Sequence, residues 1–220
     1  MKTIDPIKLE VIRHAFIAAA EEMKTNLMRT AYNPVIYEIL DFSCGIFDNK
    51  CRMIAQADGL PIFLGNLAAA IKTVVQDIGL NNFKPGDLYL INDPYKTGTH
   101  VNDVTTVVPI FENKKSIIGF CSTRAHWLDI GSKDPGGSID TTDVVQEGLW
   151  LRSVQLYDAG KLNKSIWRII ENNVRYQKNM MGDLRSQIAS SRTGEKRLQD
   201  IFKQHGKKLT NLAIEKMIEQ

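Results

Sequence analysis

The fold is decided by the segment Val104-Thr-Thr-Val-Val-Pro-Ile-Phe111, which is followed by Glu-Asn-Lys-Lys and then by Ser116-Ile-Ile-Gly-Phe-Cys-Ser-Thr-Arg-Ala-His126. Both halves are rich in β-branched and aromatic residues, which favour strands, and the four polar residues between them favour a turn. The segment therefore predicts an antiparallel hairpin. If Phe111 faces Ser116, then Asp103 faces Arg124, and His126 lies diagonally from Asp103 on the same face.

Helical patterns flank this hairpin on both sides. Asp5-Pro6 supplies a capping carboxylate and an N-terminal proline for a helix that ends near Thr30. A second helix is predicted over Leu64–Ile78. From Asn163 onward the apolar spacing is again helical, with Gly206 ending the last long helix. Further predicted elements are the strands Phe42–Phe47, Arg52–Ala55 and Asp87–Ile91 and an ordered loop from Gly131 to Gly148.

The order of these elements predicts an α+β fold, with a mixed or antiparallel sheet core, an N-terminal helix and a C-terminal helical segment. We expect an α+β core domain over residues 1–160 and a helical extension over residues 161–220. The core has 15 Lys or Arg against 19 Asp or Glu, a charge of −4, and the extension has 13 against 6, a charge of +7. Apolar residues interrupt the cations of the extension at helical spacing, which favours a solvated helix face over a nucleic-acid-binding tail.

Composition excludes several classes of protein. The 220 residues are 43% hydrophobic and 24% charged, which is typical of globular domains and unlike disordered, collagenous or coiled-coil chains. Three cysteines without a CxxC pair argue against a thiolate zinc site and a disulfide framework. No apolar stretch approaches the roughly 20 residues that span a bilayer, and the N-terminus has no signal-peptide pattern. We expect a cytoplasmic protein that binds neither membrane nor nucleic acid.

Two of the four histidines, His100 and His126, each have a carboxylate three residues downstream, at Asp103 and Asp129. The predicted hairpin brings His126 and Asp103 to one face, within reach of one ion. Imidazole and carboxylate ligands suit Mn²⁺, Zn²⁺ or Fe²⁺. On spacing alone, the alternative is that both histidines cap loops through ordinary hydrogen bonds. Asp93 directly follows a predicted buried strand, where a carboxylate is either functional or starts an Asp-Pro turn.

Several long motifs occur along the chain in a fixed order. They are Asp5-Pro-Ile-Lys-Leu-Glu-Val-Ile-Arg13, Leu40-Asp-Phe-Ser-Cys-Gly-Ile-Phe-Asp48, Asn92-Asp-Pro-Tyr95, Gly98-Thr-His-Val-Asn-Asp103, Arg124-Ala-His126, Gln146-Glu-Gly148, Asn173-Val-Arg175 and Gly182-Asp-Leu-Arg-Ser-Gln-Ile-Ala189. Through these motifs the chain resembles the N-terminal part of the hydantoinase B/oxoprolinase family. This family includes the B subunit of N-methylhydantoinase, the corresponding half of 5-oxoprolinase and the α subunit of acetone carboxylase.

The resemblance implies a manganese site on His100, Asp103 and His126, with Glu38 as a fourth ligand, and zinc is the other candidate ion. It also implies that a separate hydantoinase A-type subunit uses ATP to phosphorylate an amide or carbonyl oxygen of a small-molecule substrate. The B-type subunit then completes the reaction. In agreement, the chain has no GxxxxGK[ST] phosphate-binding loop. Family members are longer, so the family's C-terminal region is expected to be absent here or supplied by a separate chain.

We therefore expect a B-type subunit of an ATP-dependent cyclic-amide hydrolase that works as part of a complex. Asp93 or Asp129 would act as general base. Arg124 would hold a phosphate or carboxylate in a bidentate manner, or instead form a cross-strand salt bridge with Asp103. Two alternatives remain open, an α-type subunit of an acetone- or acetophenone-like carboxylase and a non-catalytic scaffold subunit that docks its partners.

Overall fold

In residues 4–59, 61–113 and 115–220, the parts of the chain that the computed structural model describes, seven strands form one antiparallel sheet with helices on both faces. The predicted α+β class is confirmed. The helices are α1 (Pro6–Thr30), α2 (Pro34–Tyr37), α3 (Pro61–Ile78), α4 (Pro94–Thr97), α5 (Lys164–Asn173), α6 (Gln177–His205) and α7 (Lys207–Glu219). The strands are β1 (Phe42–Asp48), β2 (Met53–Gln56), β3 (Leu88–Ile91), β4 (Asp103–Glu112), β5 (Ser116–His126), β6 (Val154–Asp158) and β7 (Lys161–Leu162). Their order across the sheet is β2-β1-β5-β4-β3-β6-β7.

The first helix forms as its capping signals predict. Asp5 Oδ1 accepts a hydrogen bond from Ile7 N at 2.8 Å, and Pro6 occupies the first turn, where its missing N–H leaves no helical bond unmade. The backbone becomes extended at Ala31, directly after Thr30. Buried residues of α1 recur at steps of three and four, which turns one side of the helix to the sheet. These residues are Leu9, Ile12, Phe16, Ala19, Ala20, Met23 and Leu27.

The predicted register of the β4–β5 hairpin is wrong by two residues. Glu112, not Phe111, pairs with Ser116, and a bulge between Ile110 and Phe111 shifts the pairing by one further residue. Lys114 of the predicted turn lies outside the described residues. Beyond the bulge the total shift of two residues keeps side chains such as those of Asp103 and His126 on their predicted face, whereas a shift of one would have moved them to opposite faces. As a result, Asp103 pairs directly with His126.

Two apolar layers pack against opposite faces of the sheet. On one face, Val104, Val108 and Cys121 join a core that includes the buried sides of α1 and α6. On the other face, Val107 and Phe120 join a smaller core under α3. The alternation along β4 and β5 follows the two-residue period of a pleated strand, so both faces of these central strands are buried.

Small side chains let α6 lie close to β4, β5 and α1. A Cβ atom placed on Gly194 would lie 2.5 Å from Met23 Sδ, so a larger residue there would push α6 away from α1. Ser191 Oγ lies 2.7 Å from Thr106 Oγ1, which in turn lies 2.7 Å from Thr123 Oγ1. These hydroxyls satisfy each other beneath the helix, so the polar groups buried by the close approach are paired.

Several elements are not among those predicted from the sequence, namely the strands β6 and β7 and the helices α2, α4 and α7. The boundary expected between residues 160 and 161 falls in the turn between β6 and β7, which are paired with each other at one edge of the sheet. Among the described residues, no helix combines the length and the apolar character that crossing a membrane requires.

Asp183 of α6 holds the chain where it leaves α1. Its Oδ1 accepts hydrogen bonds from Tyr32 N at 2.7 Å and from Asn33 N at 3.2 Å, while its Oδ2 is buried and has no hydrogen-bond partner. Burial raises the pKa of Asp183 from 3.8 to about 6, against the lowering effect of the two backbone N–H groups. Below about pH 6 the folded chain therefore holds this side chain mainly in its protonated form.

This raised pKa predicts a specific loss of stability as the pH rises. Because the folded pKa exceeds the unfolded one, the stabilisation by the proton is fully present below about pH 4 and disappears as the pH passes through about 6. A shift of this size corresponds to about 3 kcal/mol. Asp183→Asn should remove this dependence, so the difference in unfolding free energy between variant and wild type, measured by urea denaturation, should change between pH 4 and pH 7. Parallel pH profiles for the two proteins would contradict the prediction.

Candidate metal centre

Three side chains converge at the end of the sheet where β4 begins and β5 ends. Asp103 and His126 are opposite each other in the hairpin and share the face that α3 covers. His100 lies in the turn before β4, and its backbone N donates to Asp103 Oδ2 at 2.8 Å. The Asp103 N–H in turn donates to the carbonyl of His100 at 3.1 Å. This short turn, made possible by the left-handed Gly98, brings His100 back over the strand end.

The two histidines lie on either side of one carboxylate. His126 Nδ1 is 2.7 Å from Asp103 Oδ1, and His100 Nδ1 is 3.3 Å from Asp103 Oδ2. The imidazole rings are 5.7 Å apart and nearly perpendicular. One potential ligand atom from each of the three residues lies within 4.8 Å of the other two. The set of two imidazoles and one carboxylate, grouped at one point, is a donor set that divalent transition metals use.

Burial and hydrogen bonding act in opposite directions on the pKa of Asp103. Asp103 is fully buried, whereas the side chain of His100 is 75% exposed and faces solvent. Burial by itself raises the pKa of Asp103, but hydrogen bonds from His100 and His126 outweigh it and hold this pKa well below its usual range. The hydrogen bond to Asp103 also raises the pKa of His100. The site therefore has a buried, ionised carboxylate that a cation can neutralise in place of the imidazole protons.

Asp41 is a further carboxylate of this site, and sequence reasoning missed it. Its carbonyl accepts a hydrogen bond from His126 N at 3.1 Å, so Asp41, His126 and Asp103 form a row across three neighbouring chain segments. Asp41 Oδ1 is buried without a hydrogen-bond partner. Burial raises the pKa of Asp41, while His126 lowers it. The available signal was its position directly before β1, at the same end of the sheet as His126.

The structure does not bring Glu38 into the group of converging ligand atoms. Glu38 is an exposed residue at the end of α2, where its backbone N–H donates to the carbonyl of Pro34 at 2.8 Å. Among the described residues, the group within 4.8 Å consists of His100, Asp103 and His126 alone.

The carboxylates of Asp93 and Asp129 are both engaged elsewhere. Asp93 Oδ1 caps α4 by accepting from Tyr95 N at 3.0 Å, and its Oδ2 lies 2.9 Å from Arg152 Nε. Asp129 Oδ1 accepts from Gly131 N at 3.0 Å and from Arg175 Nη1 at 2.8 Å, and its Oδ2 accepts from Arg175 N. Both buried side chains thus hold loops in place, and neither belongs to the histidine group.

Arg124 lies on the same face as His126, two residues earlier in β5. Because of the observed register it pairs with Thr105 rather than with Asp103, and its Nε donates to Thr105 Oγ1 at 2.6 Å. Among the described residues, the salt bridge to Asp103 that was the alternative for this arginine does not form. Burial lowers the pKa of Arg124 to about 10, although Asp103 raises it.

A cavity of about 240 Å³ opens beside the two histidines. Its far wall is part of the ordered 131–148 loop, in which Lys133 N donates to the carbonyl of Gln146 at 2.8 Å. Besides the histidines, the lining residues are Asn102, Gly136, Gly137, Ser138, Ile139 and Glu147. A larger cavity, of about 740 Å³, lies near the turn of the β4–β5 hairpin and the junction of α6 and α7, and it contains none of the candidate ligands.

Comparison with known proteins agrees with this architecture. A family model described as hydantoinase B/oxoprolinase matches residues 5–220. The putative D-/L-hydantoinase B subunit of Pseudomonas sp. (strain NS671) is 33% identical over 223 aligned positions, which cover 99% of this chain and 38% of that protein. The chain spans well under half the length of the curated relatives it matches, and only 16% of the 5-oxoprolinase of Dictyostelium discoideum.

Two solved structures have the same fold. The ATP-dependent caprolactamase from Pseudomonas jessenii superposes with a TM-score of 0.89 at 29% identity, over 98% of this chain and 37% of that one. The nucleotide-free structure of acetone carboxylase gives a TM-score of 0.86 at 19% identity, over 96% of this chain and 28% of that one, a likeness of fold alone. The family model matches nearly the whole sequence, and a hydantoinase B subunit is one third identical to it. The chain therefore belongs to the hydantoinase B/oxoprolinase family.

Proposed function

We propose that this chain is the metal-binding portion of a B-type subunit that hydrolyses a cyclic amide, in a complex whose A-type subunit uses ATP. The observation that carries the proposal is the convergence of His100, Asp103 and His126 within 4.8 Å in a member of the hydantoinase B/oxoprolinase family. The similarity to an ATP-dependent caprolactamase supports the same reaction class. The chain itself has no phosphate-binding loop of the GxxxxGK[ST] type, which leaves ATP chemistry to a partner.

The donor set fits Mn²⁺ or Zn²⁺, with His100, His126 and Asp103 as ligands. A bound divalent cation supplies Lewis acidity and lowers the pKa of coordinated water. Asp103 is held by the His100 backbone N–H at 2.8 Å, so its carboxylate is oriented before any ligand arrives. The exposed face of His100 and the adjoining 240 Å³ cavity give a small substrate access to the same point.

We assign the proton acceptor to Asp41 Oδ1. This oxygen is buried beside His126 and has no hydrogen-bond partner, whereas the oxygens of Asp93 and Asp129 already accept hydrogen bonds or ion pairs. In the proposed reaction Asp41 takes a proton from the attacking water, and the buried surroundings limit competing bulk solvent. Asp93 and Asp129 position the loops on either side of the site.

The metal site is tested by loading the purified chain with Mn²⁺ and measuring the bound metal by elemental analysis. We expect about one Mn²⁺ per wild-type chain. Asp103→Ala and His126→Ala should weaken binding by about 100-fold or more, because each removes one of three protein ligands. His14→Ala, an exposed histidine on α1, is the matched control and should bind as the wild type does. Equal metal content in all four proteins would contradict the proposed site.

The role of Asp41 is tested in the assembled complex, with the A-type partner and ATP present. Asp41→Asn should lower kcat by about 10²–10³-fold while leaving metal content unchanged, because the amide cannot accept the proton. Asp58→Asn, which changes an exposed carboxylate of the same type, should keep full activity. An unchanged kcat for Asp41→Asn would remove this residue from the reaction.

Hydrolysis and carboxylation are distinguished by the dependence of ATP turnover on bicarbonate. We expect the complex to turn over ATP and open a lactam or hydantoin ring in bicarbonate-free buffer at the same rate as with bicarbonate. ATP turnover that requires bicarbonate and a ketone would contradict hydrolysis and favour the carboxylase reaction. A complex that binds its partners and performs neither reaction would favour a scaffold role.

A further inference from the structure

The guanidinium group of Arg124 is buried without a charged partner among the described residues. Its Nη1 and Nη2 atoms have less than 1 Å² of exposed surface each and no hydrogen-bond partner. Only Nε is satisfied, through the 2.6 Å bond to Thr105 Oγ1. By contrast, both carboxylate oxygens of the nearby Asp103 have partners, His126 Nδ1 for Oδ1 and the His100 backbone N–H for Oδ2.

Burying such a group is costly. A charged side chain removed from water without compensating bonds is strongly destabilising, and an apolar residue of similar volume at such a position is often the more stable choice. Two of the three guanidinium nitrogens of Arg124 form no hydrogen bond within the described chain. The costly burial of this side chain is explained if a ligand accepts hydrogen bonds from them.

The position of Arg124 indicates what kind of ligand this is. It is two residues from His126 along β5, about 7 Å between Cα atoms, and it shares the face of the candidate metal ligands. The bond from Nε to Thr105 fixes the plane of the guanidinium and leaves both terminal nitrogens unused. Two such nitrogens in one plane match two oxygens of a carboxylate or phosphoryl group.

One aromatic ring covers this group. The ring of Phe63, near the beginning of α3, lies with its centroid 5.7 Å from the Arg124 guanidinium carbon, and Phe63 is itself buried. In this arrangement the ring gives the cation some electrostatic compensation. Because Nη1 and Nη2 are buried, a ligand can reach them only after a neighbouring side chain moves, and the Phe63 ring is one that lies against the guanidinium group.

We propose that Arg124 binds an oxyanionic group of the substrate, a phosphoryl or a carboxylate, through Nη1 and Nη2, with Phe63 moving aside to admit it. This inference rests on the proposed function and deepens it, since it assigns to Arg124 the positioning of a negatively charged oxygen group of the substrate beside the metal site. Apart from Phe63 of α3, it requires no residue beyond those on the α3 face of β4 and β5. The bidentate contact fixes the orientation of the substrate relative to His126 and Asp103.

The test uses the whole 220-residue chain, freed of metal, and two probes: inorganic phosphate and acetate, titrated separately by calorimetry at constant ionic strength. We expect saturable binding of at least one probe to the wild type, and the preferred probe identifies a phosphoryl or a carboxylate group. Arg124→Met should weaken that binding by about tenfold or more, since it removes a charge-assisted bidentate contact. Arg168→Met, which removes an exposed arginine of α5, should leave binding unchanged.

A second measurement separates loss of binding from loss of the fold. In buffer without either probe, Arg124→Met should unfold at the same temperature as the wild type or a higher one, because it removes a buried unpaired charge. Arg124→Lys keeps the charge but not the planar fork, and it should also lose the bidentate binding. If Arg124→Met does not fold, the lysine variant decides the question, and wild-type-like binding by it would overturn the proposal.

The two proposals fail in different ways. No saturable binding of phosphate or acetate by the wild type, or equal binding by the wild type and Arg124→Met, overturns the oxyanion site and leaves the metal site intact. Oxyanion binding that depends on Arg124 in a chain that takes up no Mn²⁺ overturns the proposed metal site alone.

Discussion

The direct pairing of Asp103 with His126 across β4 and β5 determines which side chains meet at the end of the sheet that carries the candidate metal ligands. From this register it follows that Arg124 pairs with Thr105. The pairing of β1 with the other edge of β5 brings Asp41 beside His126. A slip of one residue would turn His126 towards the face that α6 covers and would separate it from Asp103. The short hairpin turn and the bulge at Ile110 are therefore as important to the site as the ligands themselves.

The opposite face of the sheet holds this register in place. Gln187 of α6 donates to the carbonyl of Val104 at 2.8 Å and accepts from Trp127 Nε1 at 2.7 Å, so one side chain ties the ends of both strands to the helix. Asn102 adds a second tie, since its Nδ2 donates to the carbonyl of Trp127 at 2.8 Å. Trp127 is fully buried in this position. The candidate ligands thus project from a backbone that is fixed from behind, which is the condition for a preorganised site.

The sequence was informative where local pattern decides the structure. The limits of α1 and β5 follow from capping residues and β-propensity, and spacing placed His100 beside Asp103. It did not find the partner of His126, which contacts Asp103 rather than Asp129 three residues downstream. The register was not predictable, because a bulge depends on the packing of both faces of the hairpin and not on local composition. The partners of Asp93 and Asp129 were not predictable for a related reason: Arg152 and Arg175 lie 59 and 46 residues away and meet them only in the folded chain.

The central claim is that His100, Asp103 and His126 bind one divalent cation, and its most direct test is pulsed electron paramagnetic resonance of the Mn²⁺-loaded chain. We predict nitrogen couplings from two imidazole groups on the manganese, with one of the two lost in His126→Ala. A manganese signal without nitrogen coupling, like that of the hydrated ion, would contradict this claim.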